Sequence, residues 1–157
     1  MSRSRGQSVL YAVLLMPTLM LVFALAVDIA TLQMQKLRLR YAVDLATVTG
    51  AMAVDSEYYS RTGRLQLDPT TATATTREYL LRNLDGLPDI SSPAAIASEA
   101  DVTVINRVPA RDPYTGLMLD RPAVCARIHV PHRFSVLGWI GIHAVELTVA
   151  ANAEIRI

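Results

Sequence analysis

A run of 22 residues without a charged side chain constrains this chain more than anything else in it. The run reads GQSVLYAVLLMPTLMLVFALAV, from Gly6 to Val27, and lies between Arg5 and Asp28. As an α-helix it would extend roughly 33 Å, at about 1.5 Å per residue, which is the thickness of a bilayer core. A helix that is apolar on every side needs lipid or a large core around it. With 157 residues in all, the chain has too little left over to enclose one. Hydrophobic residues make up 52 % of it and the mean hydropathy is +0.29. Both are high for a soluble protein, and the excess sits in this run. The pattern predicts a basic leader over residues 1–6, a transmembrane helix over 7–27 and a domain over 28–157.

Pro17 stands in mid-span. It lacks a backbone donor and frees the carbonyl of Val13, so a kink is expected there, of a kind that membrane helices tolerate. A cleaved signal peptide is the rival reading. Arg3 and Arg5 would form its basic region, and Ala24-Leu25-Ala26 its cleavage site. Against that, the apolar run passes straight through the site into Val27 and Ile29. Arg5 before the span and Asp28 after it favour a cytoplasmic N-terminus.

Helical periodicity continues past the span. Ala30, Met34, Leu37, Tyr41, Leu45, Val48 and Met52 step by three or four and form one apolar stripe. The expectation is that this stripe is the core face of a domain, with Ala42, Ala46 and Ala53 allowing close packing beside it. Lys36, Arg38, Arg40 and Asp44 would face water or a partner. Residues 55–67 show no clear period. Asp68-Pro69 then opens a helix as N-cap and first helical residue. Ala72, Thr76, Tyr79, Leu80 and Leu84 give that helix a face, and Gly86 and Pro88 end it. LPDISSPAAIASEA reads as a linker.

From Asp101 the period is two. Val102, Val104 and Val108 alternate with polar neighbours, and so do Val124, Ala126, Ile128 and Val130. At the end, Val145, Leu147, Val149, Ala151, Ala153, Ile155 and Ile157 are apolar at every odd position. One face buried and one wet is the signature of an antiparallel sheet covered on one side.

Charge and motifs narrow the function. Fifteen basic and 14 acidic residues give a net charge of +1, so there is no basic footprint for nucleic acid. The one cysteine, Cys125, rules out an intrachain disulfide. Cys125-x3-His129-x2-His132 is not a metal-site spacing. GxGxxG, P-loop, HExxH and GxSxG motifs are absent. The expectation is a non-enzymatic protein with no catalytic, cofactor-binding or metal site. Asp112-Pro113-Tyr114-Thr115-Gly116 is turn chemistry. The apolar segment with Phe134, Leu137, Trp139 and Ile140, interrupted by Gly138 and Gly141, is either buried under the sheet or a docking loop.

RGQSVLYAVLLMP followed by ALAVDIATLQMQKLRLRYAVDLATVTGAMA resembles the N-terminus of the TadE/TadG-like pseudopilins of the Tad (Flp) pilus-assembly system. The marks are the basic residue and Gly6 before the apolar run, Pro17 within it, Val27-Asp28 at its end, and the alanine-rich Leu39–Ala53 stretch with Asp44. The strand, apolar loop and ANAEIRI strand are similar to the ends of short members. The resemblance implies a minor pseudopilin of a type IV-like pilus or its assembly platform, N-terminus cytoplasmic and domain outside. Its partners would be other pilus or pseudopilin subunits, the inner-membrane assembly platform and the membrane. It also implies cleavage by a prepilin peptidase between Gly6 and Gln7. Filament-forming pilins carry glutamate five residues after the cut glycine, and here that filament-packing position is Tyr11.

The fold class expected is therefore α+β. One long N-terminal transmembrane helix runs into a pilin-like domain with a short helix and a 3–4-stranded antiparallel sheet. The other functional classes open to this sequence are a secreted soluble binding domain released after Ala26 and a generic membrane-anchored stalk or sensor module.

Overall fold

Between Gly6 and Gly50 only Pro17 opposes a helix, and in the computed structural model α1 runs from Arg3 to Gly50 with Pro17 inside it. The structure describes residues 3–88 and 90–155, without the side chains of residues 3–10, Trp139 and Ile140. After α1 come α2 (Ser56–Thr62), α3 (Pro69–Asp85) and α4 (Pro93–Glu99). The strands follow: β1 (Asp101–Ile105), β2 (Ala110–Arg111), β3 (Met118–Leu119), β4 (Ala123–Arg133) and β5 (Ala144–Glu154), with a 3-10 turn over Leu137–Ile140. The sheet has the order β1-β4-β5, and β2 and β3 form a separate two-stranded ribbon. The expected α+β class holds, with three strands in the main antiparallel sheet. The residues divide into two compact units, 1–35 with 131–145 and 36–130 with 146–157.

In the larger unit α1 buries Leu39, Ala42, Val43, Ala46 and Thr47. This corrects the expected core face. Leu37, Tyr41, Leu45, Val48 and Met52 point the other way, with Tyr41 70 % and Met52 71 % exposed; Ala30 and Met34, on the same stripe, are exposed too. The reason is close approach. Asn83 of α3 donates its amide to the Ala42 carbonyl at 3.3 Å. At the other end, a Cβ on Gly50 would come within 2.0 Å of Thr76 Oγ1 and 3.1 Å of the Ala72 carbonyl. Helices this close admit only small side chains at the points of contact, so size, and not hydrophobicity alone, decided the packed face. These pairs run α3 antiparallel to α1.

Capping works as expected for α3. Asp68 accepts from Thr70 N–H at 3.0 Å, Pro69 opens the helix and Gly86 closes it. Ala72, Thr76, Leu80 and Leu84 are buried, and Tyr79 half-buried. Two helices escaped the periodicity. In α2, Asp55 caps Tyr58 N–H at 2.8 Å and Gly63 ends the helix with φ +69°. It buries nothing, so it has no apolar face to detect. In place of the expected linker, α4 starts at Pro93 and buries Ala97. Alanines fit there because α4 packs against α3.

β1 pairs antiparallel with β4, Val102 opposite Ala126 and Val104 opposite Val124. The core joins Ala51, Leu67, Ala72, Val124 and Ile155, with Val102, Val104 and Ala153 at its edge. Val108 lies outside β1. The expectation of one wet face fails on β4, where Ala123, Val124, Cys125 and Ala126 are all fully buried. Residues 106–122 fold over the second face, bringing Leu119 onto Ala123 and Cys125. Tyr114 secures that cover. Its hydroxyl pairs with Thr103 Oγ1 at 2.8 Å, and its ring lies 4.8 Å from the Arg127 guanidinium. In β5, Leu147, Val149 and Ala151 are buried and Thr148 is exposed, as the alternation requires, while Val145 is 40 % exposed.

Candidate functional site

The smaller unit contains the first part of α1 and the segment 131–145. Asp28, the first charged residue after the apolar span, is 2 % exposed. Its carboxylate accepts three backbone N–H groups at the start of the 3-10 turn: Ser135 at 3.3 Å, Val136 at 2.9 Å and Leu137 at 2.7 Å. Those N–H groups have no partner inside a turn that begins there, so the carboxylate meets a need of the backbone. The Leu137 N–H does most to hold the carboxyl below its ordinary value; burial opposes it, while Val136, Ser135 and the charge of His132 act in the same direction.

About two turns further along α1, Gln35 Oε1 accepts a hydrogen bond from His132 Nδ1. Both residues are buried, and His132 Nε2 has no hydrogen-bond partner among the described residues. Phe134 stands edge-on to the imidazole with ring centroids 5.1 Å apart. The two polar contacts thus fasten the 131–137 stretch to α1. They join residues about a hundred positions apart, so no local signal in the sequence could have revealed them.

The sequence-derived site residues fall as follows. Gly6 and Gln7 lie in the first turns of α1; the Gln7 side chain is outside the described residues. Tyr11 is exposed. Of the docking segment, Phe134 and Leu137 are half-buried, and the side chains of Trp139 and Ile140 lie outside the described residues. Cys125, His129 and His132 each have other engagements. Cys125 is buried beside Asp112, His129 lies 3.2 Å from Glu146 and also from Thr148 Oγ1, and His132 is held by Gln35.

A second surface belongs to the larger unit. Val48 and Met52 of α1 run into a groove of about 690 Å³ that is also lined by Val54, Leu117, Met118 and Ile155. Leu117 and Met118 are mostly exposed. Leu37, Tyr41 and Leu45 extend the same apolar surface along the helix.

Residues 6–53 match the family model described as "Putative Flp pilus-assembly TadE/G-like". No curated protein and no solved structure matches the chain. The matched stretch covers the apolar span, Asp28 and the whole exposed stripe of α1, and α1 is long and apolar enough to cross a membrane. Over residues 6–53 the chain is similar to the TadE/TadG-like family of Flp pilus-assembly proteins, a likeness that supports a pilus-related role.

Proposed function

We propose that the chain is a non-enzymatic minor pseudopilin of a Tad-type pilus or its assembly platform. Residues 7–27 anchor it in the membrane, residues 1–6 face the cytoplasm and residues 28–157 stand outside. The family match over 6–53 carries this reading. The exposed face of α1 supports it. Leu37, Tyr41, Leu45, Val48 and Met52 step by three or four residues along the helix, on the side opposite the buried face. An apolar strip left open on a helix that already has a core on its other side suits another pilus subunit.

Tyr11 limits the copy number. After cleavage at Gly6, each Gln7 would carry an ammonium group, and a repeating stack would bury it without the carboxylate of a neighbour. A phenol offers only a hydrogen bond, and an unpaired charge in an apolar core costs several kcal/mol. The subunit is therefore uncut, or it stands at a tip. The intact mass of the purified protein reads full length, loss of residues 1–6 or loss of residues 1–26. The last result would replace this reading with a secreted domain. A photo-crosslinker at Tyr41 should yield adducts whose mass spectra identify pilus subunits, while one at exposed Thr148 should not. Sheared filaments made mainly of this chain would sink the low-copy assignment.

A further inference from the structure

The Asp28 clasp fixes the level of the apolar turn relative to the span. Asp28 is the residue at which the uncharged run ends, and the N–H groups of residues 135–137 lie within 3.3 Å of its carboxylate. A headgroup layer is roughly 5–7 Å deep on each side of the hydrocarbon core. A turn held this closely to the end of the span cannot leave that layer. We propose that residues 134–142 form a second membrane contact, a lipid-facing turn that Asp28 tethers to the surface of the bilayer crossed by α1. This rests on the membrane-anchor reading of α1 and not on the pilus assignment.

The backbone of the segment suits a poorly hydrated layer. The three N–H groups at its start bond to Asp28. Phe134 N–H donates to the His143 carbonyl at 3.2 Å, Gly141 N–H to Gly138 at 3.3 Å and Ile142 N–H to Leu137 at 3.0 Å. Backbone groups satisfied internally are what lipid demands of any segment it touches. The nine residues Phe134–Ile142 carry no charge. Ile142 is about half exposed. Exposed Arg133 and His143 flank the segment, where they can meet anionic headgroups. Because Asp28 holds the turn at the exit of the span, the occupant is the bilayer surface.

The chain's one tryptophan, Trp139, lies in this turn and reports on it directly. The full chain is reconstituted in phosphatidylcholine vesicles containing lipids brominated either close to the headgroup or near the chain end. Trp139 emission should be blue-shifted relative to the unfolded chain and lose most of its intensity to the shallow bromines, with a smaller loss to the deep ones. Asp28→Ala should restore emission while the chain stays in the vesicles with unchanged helical ellipticity. Ile142→Asp, at an exposed position, should weaken the quenching without the risk of unfolding. Emission unaffected by either lipid in the parent chain overturns the proposal, and so does quenching that survives Asp28→Ala intact. A chain that floats free of the vesicles overturns both this contact and the membrane anchor; failure to crosslink to pilus subunits touches neither.

Discussion

Asp112 shows how completely single side chains are committed in this fold. It is 1 % exposed. Burial alone would raise its carboxyl, but hydrogen bonds from the Thr115 hydroxyl, the Asn152 amide and the N–H groups of Tyr114 and Thr115 outweigh it, and the group is held below its ordinary value of 3.8. Folding therefore favours the ionised form. The stabilisation is full above the ordinary carboxylate value and fades as pH falls through the lower native one. Asp28 behaves in the same sense. Asp112→Asn turns an NH2 toward donors and should cost about 1–3 kcal/mol at neutral pH. It should also remove part of the acid lability seen by circular dichroism. Stability curves of parent and variant that run parallel from about pH 7 to pH 3 would contradict this linkage. Next to Asp112, burial, the aspartate charge and a hydrogen bond push the Cys125 thiol up to about 12. Thiolate is the nucleophile, so Cys125 should resist alkylation until the chain unfolds.

At the scale of elements, α1 has two faces with different rules. Leu39 is fully buried and Leu37 is 66 % exposed. Leu39→Ala should cost about 2–5 kcal/mol in thermal or denaturant unfolding of the detergent-solubilised chain. Leu37→Ala should stay within about 0.5 kcal/mol. Equal losses would restore the face that hydrophobicity alone selects. Gly50 tests the close approach. Gly50→Ala drives a methyl into Thr76 Oγ1 and should cost about 1–3 kcal/mol. Adding Thr76→Ala should recover part of that loss, since the added methyl would meet the hydroxyl first; a strictly additive double variant would rule this clash out. In β5, Val149→Asp places an unpaired charge in the core and should cost more than about 3 kcal/mol, whereas Thr148→Asp should be mild. Similar effects at the two positions would mean a shifted register.

For the molecule as a whole, the span and the Asp28 clasp make one prediction that needs no knowledge of partners. The chain should stay in the pellet after carbonate extraction at high pH, because 22 uncharged helical residues bury in lipid far more apolar surface than a peripheral contact does. Release into the supernatant would remove the anchor. Protease added to intact spheroplasts should cut the chain beyond Asp28; protection there would reverse the proposed orientation.

Several features were legible in the sequence because their causes are local. An uncharged run has one length and one solvent it can use. The Asp68-Pro69 cap and the period-two alternation of β5 involve neighbours in the chain, so residue order alone determined the start of α3 and the inward set Leu147, Val149 and Ala151. Residues 6–53 likewise carried their family resemblance as plain sequence. Tertiary structure decided the rest. Hydrophobicity pointed to the Tyr41 side of α1, but the volume available beside α3 selected Ala42, Ala46 and Gly50. The second face of β4 was dry because residues 106–122, polar by composition, fold over it through Tyr114 and Leu119. Asp28 looked like a charge that merely ends a span. Its partners are the N–H groups of residues 135–137, and a backbone donor bears no mark in the sequence of the carboxylate it will meet.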